Sequence, residues 1–334
     1  MFGRSGGTRG ALLGALALGL TAAACGPSVA SETPGQLLSD GAHALQGLKS
    51  FRITGGFAVN SVSVSLAANV RQDGDATGSL AITYDSASFV IAGHQLYFDR
   101  ANPLVTTGLD PTVAELALRL KGQHWVQTPG SATVTSSLML LKPDEYQRLF
   151  FSGRGPLTET PVKDSDGRAA LKISDNSVSV LVSPKAPHNV LEITTAAHFL
   201  TLDLRSVDVI FENFNIPVSV SAPASSVPLT TAGLPPFFVV QSIDVDGTCS
   251  SSGCPMKADV ASLAGTGTAT VDFTLVDHGG QTLGTCGATV SIPAVGGTAT
   301  ARCRATGSGW TRFYYTGGSY VTKAVAENPA YLPV

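Results

Sequence analysis

From Phe57 to Val70 the chain alternates, with Val62, Val64, Leu66 and Ala68 on one side and Ser61, Ser63, Ser65 and Ala67 on the other. A period of two makes a strand with one apolar face, and such a face needs something to cover it. Asp73-Gly74 follows and supplies the positive φ of a hairpin turn. Strands are expected again at Gly78–Tyr84, Ser86–Ala92 and Gln95–Phe98, with Gly93-His94 as the turn between the last two. Asp166-Gly167 marks a second hairpin, between Pro161–Ser165 and Arg168–Ser174. Val178–Val182, Val190–Thr195, Phe199–Phe211 and Val218–Ser221 read as further strands, and Gln123–Gln127 as one carrying Trp125.

Helical periodicity is scarce. After Pro34, the residues Leu37, Leu38, Ala42, Leu45 and Leu48 share one helical face, although Gly41 weakens that helix by about 1 kcal/mol. A short helix is expected at Val113–Leu120, where Pro111 occupies a first-turn position. Leu138–Leu141 and Pro143–Phe151 read as helical and apolar. Residues 222–236 are rich in Pro, Ser and Thr and read as a semi-rigid linker, centred on 227–236. Beyond it, strands at 237–245, 256–263, 267–276, 285–292, 298–304 and 311–325 alternate with glycine-rich turns, the pattern of a small β-sandwich.

The N-terminus reads as an export leader: Arg4 and Arg9, the apolar stretch Ala11–Leu20, then small residues up to Ala24. The apolar part is shorter than the ~20 residues that span a bilayer. Ala22-Ala23-Ala24-Cys25 resembles a lipobox, with Ala22 where Leu is usual; the competing reading is an ordinary Ala-x-Ala cleavage site. The lipobox makes 1–24 a signal peptide, Cys25 a lipidated first residue and 25–34 a tether on the outer face of the cell membrane. The other four cysteines, Cys249, Cys254, Cys286 and Cys303, lie in the last third. An even number in an exported chain favours disulfides. Three pairings exist, of which Cys249–Cys254 and Cys286–Cys303 fit the expected strands best. A zinc site competes, but the spacing lacks paired short knuckles.

With 13% charged residues, net charge −3 and no basic run, the composition argues against nucleic-acid binding. The histidines His43, His94, His124, His188, His198 and His278 are scattered, with no H-E-x-x-H. There is no G-x-S-x-G elbow and no phosphate-binding G-x-x-x-x-G-K-[ST]. Asp164-Ser165-Asp166-Gly167 and Asp244-Val245-Asp246-Gly247 lack the later ligands of a calcium loop and read as turns. No catalytic residue, metal site or cofactor is expected.

Several segments in order resemble the LolA-like lipoprotein fold, in the form of LppX/LprG-type actinobacterial lipoproteins. They are Leu48-Lys49-Ser50-Phe51 closing the first helix, Gly93 through Phe98 with Tyr97, and Gly122-Gln123-His124-Trp125-Val126. Asp166 through Ala170 (with Ser165 for the usual Val) and Val209 through Pro223 complete the set. The resemblance spans 35–226. It implies a mainly β (α+β) fold, a curved antiparallel half-barrel with helices on its concave side. It also implies an apolar cavity for a lipid or lipidated ligand and no catalysis. Candidate cavity residues are Val62, Val64, Leu66, Phe89, Ile91, Leu138, Leu141 and Phe150. Phe273-Thr274-Leu275-Val276-Asp277 resembles the FxLYD-type sandwich motif, with Val276 for Tyr, and implies a small β-sandwich fold over 237–334, to which the cysteine count adds the disulfides. The alternative role is an envelope scaffold that docks a protein partner and has no ligand cavity.

Overall fold

The computed structural model describes residues 32–59, 61–152, 155–196 and 204–333. Cys25 with the leader, and His198, lie outside them.

Helix α1 (Pro34–Gln46) precedes β1 (Ser50–Val59), β2 (Val62–Arg71), β3 (Ala76–Ile82), β4 (Asp85–Ala92) and β5 (Gln95–Phe98). Two short helices, α2 (Pro103–Thr106) and α3 (Pro111–Leu118), lead to β6 (Val126–Gln127). A helical run follows: α4 (Ala132–Leu138), a 3-10 turn (Met139–Leu141), α5 (Pro143–Tyr146) and a π-helical turn (Gln147–Phe151). Then come β7 (Thr158–Lys163), β8 (Ala169–Ser174), β9 (Val178–Val182), β10 (Val190–Thr195), β11 (Leu204–Glu212) and β12 (Val227–Pro228).

These strands form one curved, open, twelve-stranded sheet in the order β12-β6-β5-β4-β3-β2-β1-β11-β10-β9-β8-β7. The β12–β6 pair is parallel; the other neighbours are antiparallel. Gly55 explains part of the bend. Its φ is +153°, and a Cβ there would stand 2.1 Å from the Asp208 carbonyl oxygen. The register with β11 then slips between Gly56 and Ala58, and a bulge bends a strand.

The alternation decides which face is covered. Phe51, Ile53, Phe57, Val64, Leu66, Phe89, Val209 and Phe211 are buried under the helices, while Ser63, Ser65, Ser86 and Ser88 are exposed on the other side. From α1, Leu37, Leu38, Ala42 and Leu45 enter the same core. The core is well filled: Phe211 lies 5.9 Å from Phe51 and 5.4 Å from Tyr146, ring centre to centre.

The second region has two three-stranded sheets. One is β13 (Phe237–Val245), β14 (Cys254–Ala264) and β17 (Thr298–Ala305), ordered β13-β14-β17. The other is β15 (Gly267–Asp277), β16 (Thr282–Ile292) and β18 (Tyr320–Ala326), ordered β16-β15-β18. They enclose a core of Met256, Val260, Val271, Phe273, Leu275, Ala301 and Trp310. Cys286–Cys303 links edge strands β16 and β17, and Cys249–Cys254 closes the loop before β14. Among the described residues, the two cores draw on residues from Leu37 to Tyr331.

Four local expectations change. Phe57–Val70 is not one strand: β1 and β2 meet in a hairpin at Ser61, whose φ is +68°. Residues 311–325 are not one strand either. Helix α6 (Ser308–Thr316) forms first, bracketed by Gly307 and Gly317, because it buries Trp310. Val218–Ser221 forms no strand. In 227–236, β12 joins the large sheet and Leu229 and Leu234 are buried in its core.

The chain returns to the large sheet at its end. Tyr331 forms a bridge with Leu120 and stacks edge-on against Phe237, and its hydroxyl donates to the Pro235 carbonyl at 2.6 Å. The Arg119 guanidinium sits 5.2 Å over the Phe237 ring and donates to the Leu332 carbonyl.

Candidate functional site

The β2–β3 and β4–β5 turns lie at one end of the sheet. The Asp75 carboxylate ties them by accepting the Gly93 N–H at 2.9 Å. Above them runs the helical segment from Pro129. Ser131 caps α4 by accepting the Val134 N–H. Pro143 disfavours helical geometry at the preceding residue, and Lys142 is extended (φ −107°, ψ 101°), so the run breaks there. The Tyr146 hydroxyl donates to the Leu140 carbonyl and ties the two halves of the broken run together. Burial raises the Tyr146 pKa well above that of an ordinary phenol.

Between turns and helices lies a cleft of about 720 Å³. Ile91, Leu96, Leu138, Met139 and Leu141 supply apolar wall, and Gln46, Gln72, Asp73, His94, Lys142 and Asp144 supply polar groups. Asp73 is paired with Arg71 at 2.5 Å, while Lys142 is exposed. His94 has a φ of +65°, which turns the β4–β5 hairpin at the cleft.

Of the sequence candidates, Ile91, Leu138 and Leu141 line this cleft. Val64, Leu66, Phe89 and Phe150 are buried in the packed core, and Val62 is half-buried at the start of β2. The polar residues of the cleft carry no motif in the sequence. They come from four separate segments, and only the shared position of the two hairpin turns could have hinted at them.

Elsewhere, Glu192 on β10 has its pKa raised, first by burial and then by the charge of Asp208. It is not among the cleft residues. In the β7–β8 turn, Asp164 accepts the Asp166 and Arg168 N–H groups and pairs with the Arg168 side chain at 2.7 Å. Among the described residues no group of three His, Cys, Asp or Glu could hold a metal ion, and no helix is long and apolar enough to cross a membrane.

Fold and site together define a class: an open curved sheet roofed by helices, with a mixed apolar and polar cleft at one end and a disulfide-bonded sandwich attached. No protein-family model and no curated protein sequence matches the chain. Among solved structures it is similar to LprF from Mycobacterium bovis (TM-score 0.41, 15% identity, 57% of this chain and 97% of that one). It is also similar to MucB (TM-score 0.28, 12% identity, 85% and 97%) and to MucB in complex with MucA(peri) (0.26, 12%, 84% and 97%).

Proposed function

We propose that this chain is an exported LolA-like lipoprotein, anchored through Cys25 on the outer face of the cell membrane, that binds or transfers lipids or lipidated molecules without an enzymatic step. The observation that carries the reading is the cleft. Its volume of about 720 Å³ falls within the ~300–1,000 Å³ of small-molecule sites. Its apolar wall suits an acyl chain, and its polar groups suit a headgroup that stays near water. Burial of methylenes would hold the ligand at ~0.8 kcal/mol each. Because the core beneath is packed, a long chain enters only if the segment from Pro129 to Asp144 moves outward. The leader and lipobox support the location.

A second reading, an envelope scaffold that docks a protein partner, is favoured by that same packing, since Val64, Leu66, Phe89 and Phe150 are buried in the core and do not line the cleft.

Both cores lie after Pro34, so a chain starting at Gly26 carries the whole described body. Native mass spectrometry with lipid extraction on that form, recovered from an envelope-bearing host, should show a co-purifying lipid. Ile91→Arg places a charge in the apolar wall and should weaken uptake of a fluorescent acyl probe by at least about tenfold. An empty protein that takes up no probe would move the assignment to the scaffold reading.

A further inference from the structure

Two neighbouring rungs of the β4–β5 ladder differ in what they face. Next to the turn, Ile91 pairs with Leu96, and both line the cleft. Side chains two residues apart along a strand share a face, so the following rung on that face is Phe89 opposite Phe98, about 7 Å further into the sheet. Both rings are fully buried, meet edge-on with centres 6.5 Å apart, and take no part in the lining. On the helical side Leu138, Met139 and Leu141 line the cleft, while Val134 and Leu140 are fully buried and do not. The apolar wall on the sheet is therefore one rung deep, and the Phe89–Phe98 pair stands at its inner end.

The volume then limits the number of chains. At ~30 Å³ per methylene, the share of one water molecule in the liquid, an acyl chain of about sixteen carbons fills about 480 Å³ and a pair about 960 Å³. The cleft offers about 720 Å³. One chain fits and leaves room for a headgroup beside Gln46, Gln72, His94 and Lys142, which are all exposed; two chains do not.

We propose that the cleft takes a single-chain amphiphile, a lysophospholipid or a free fatty acid, and that Phe89 and Phe98 set this limit by closing its inner end. The inference rests on the reading of the cleft as a lipid site and adds to it the number of acyl chains. The chain lies along the wall of Ile91 and Leu96 with its methyl end against the rings. Outward movement of the segment from Pro129 to Asp144 lifts the roof, but both rings belong to the sheet and stay in place.

Competition read by native mass spectrometry tests it. The chain starting at Gly26 is mixed with palmitic acid, palmitoyl lysophosphatidylglycerol and dipalmitoyl phosphatidylglycerol in equal amounts, and the mass of each complex identifies the lipid bound. The single-chain lipids should exceed the two-chain one in occupancy by at least about tenfold, because a second chain finds no apolar wall. Phe98→Ala should raise two-chain occupancy at least about fivefold, since a dry apolar cavity takes up apolar ligand. Phe89→Leu trims the other ring at a smaller cost in stability and should move the ratio the same way. Far-UV circular dichroism verifies the fold of both variants. Ile91→Arg should reduce all three lipids together. A native sequence that holds the two-chain lipid as well as the single-chain ones, or folded ring variants that leave the ratio unchanged, would overturn the inference while the lipid reading stands. Binding of none of the three would overturn both.

Discussion

The core under the helices is built from bulky side chains, Phe51, Phe89, Phe98, Phe150, Phe211 and Tyr146, whereas the sandwich core relies more on small ones, among them Ala258, Ala269, Ala301 and Ala305. The first has one broad sheet face and a layer of helices to bury, and no cysteine lies within it. The second closes two three-stranded sheets over a thinner interior and carries both disulfides. Small β domains bury a smaller fraction of their surface, and crosslinks offset that. The contrast predicts that the first region depends on volume and the second on its staples.

The largest effect should come from removing volume. Phe211 is 1% exposed and touches both the β1 strand, through Phe51, and the helical layer, through Tyr146. Phe211→Ala should cost about 3–5 kcal/mol, read as a lowered urea midpoint of the intact protein. A loss under about 1 kcal/mol would mean that the region is loosely packed and that the contrast fails.

Next in size is the crosslink from β16 to β17, which closes a span of 17 residues across an edge of the sandwich. Replacing Cys286 and Cys303 with alanine should cost about 3 kcal/mol. Hydrogen exchange should quicken in β14 and β16 while β1–β4 keep their protection. Equal loss in both regions would show that they unfold as one unit.

The same contrast explains what could be read from the sequence. Serine opposite valine and leucine made β2 visible, and Asp73-Gly74 made its turn visible. Strand β1 was hidden because Gly55 and Gly56 interrupt its alternation and its hairpin turns at Ser61 without an Asp-Gly pair. The stretch 311–325 reads as strand in the sequence because Thr311, Phe313, Tyr314 and Tyr315 favour strands; the reason helix α6 forms there, the Trp310 contact with Ser250, is 60 residues away in sequence. Ile91 was legible as a candidate, but alternation is the same for a core wall and a cavity wall. Gln46, Gln72, His94 and Lys142 meet only through topology.

The smallest effect should come from the C-terminal strap, where the two regions touch. The Tyr331 hydroxyl donates to the Pro235 carbonyl, so Tyr331→Phe should cost about 1 kcal/mol. Its signature is the pH dependence. Burial pushes the Tyr331 pKa up to about 12, against the opposing pull of the Arg119 charge. An unfolded tyrosine ionises near 10. Below about pH 10 both states hold the proton, and the full contribution to stability is present. From about pH 10 to 12 the unfolded chain releases a proton that the folded chain keeps, so stability falls as pH rises. The variant should show a shallower fall over that window, with a residual slope from Tyr146, whose pKa burial also raises. If Tyr331→Phe also separates the unfolding of the sandwich from that of the large sheet, the strap is what couples them. If the two still unfold together, the coupling rests instead on Leu229, Leu234 and Phe237, which are buried in the core of the large sheet whatever the strap does.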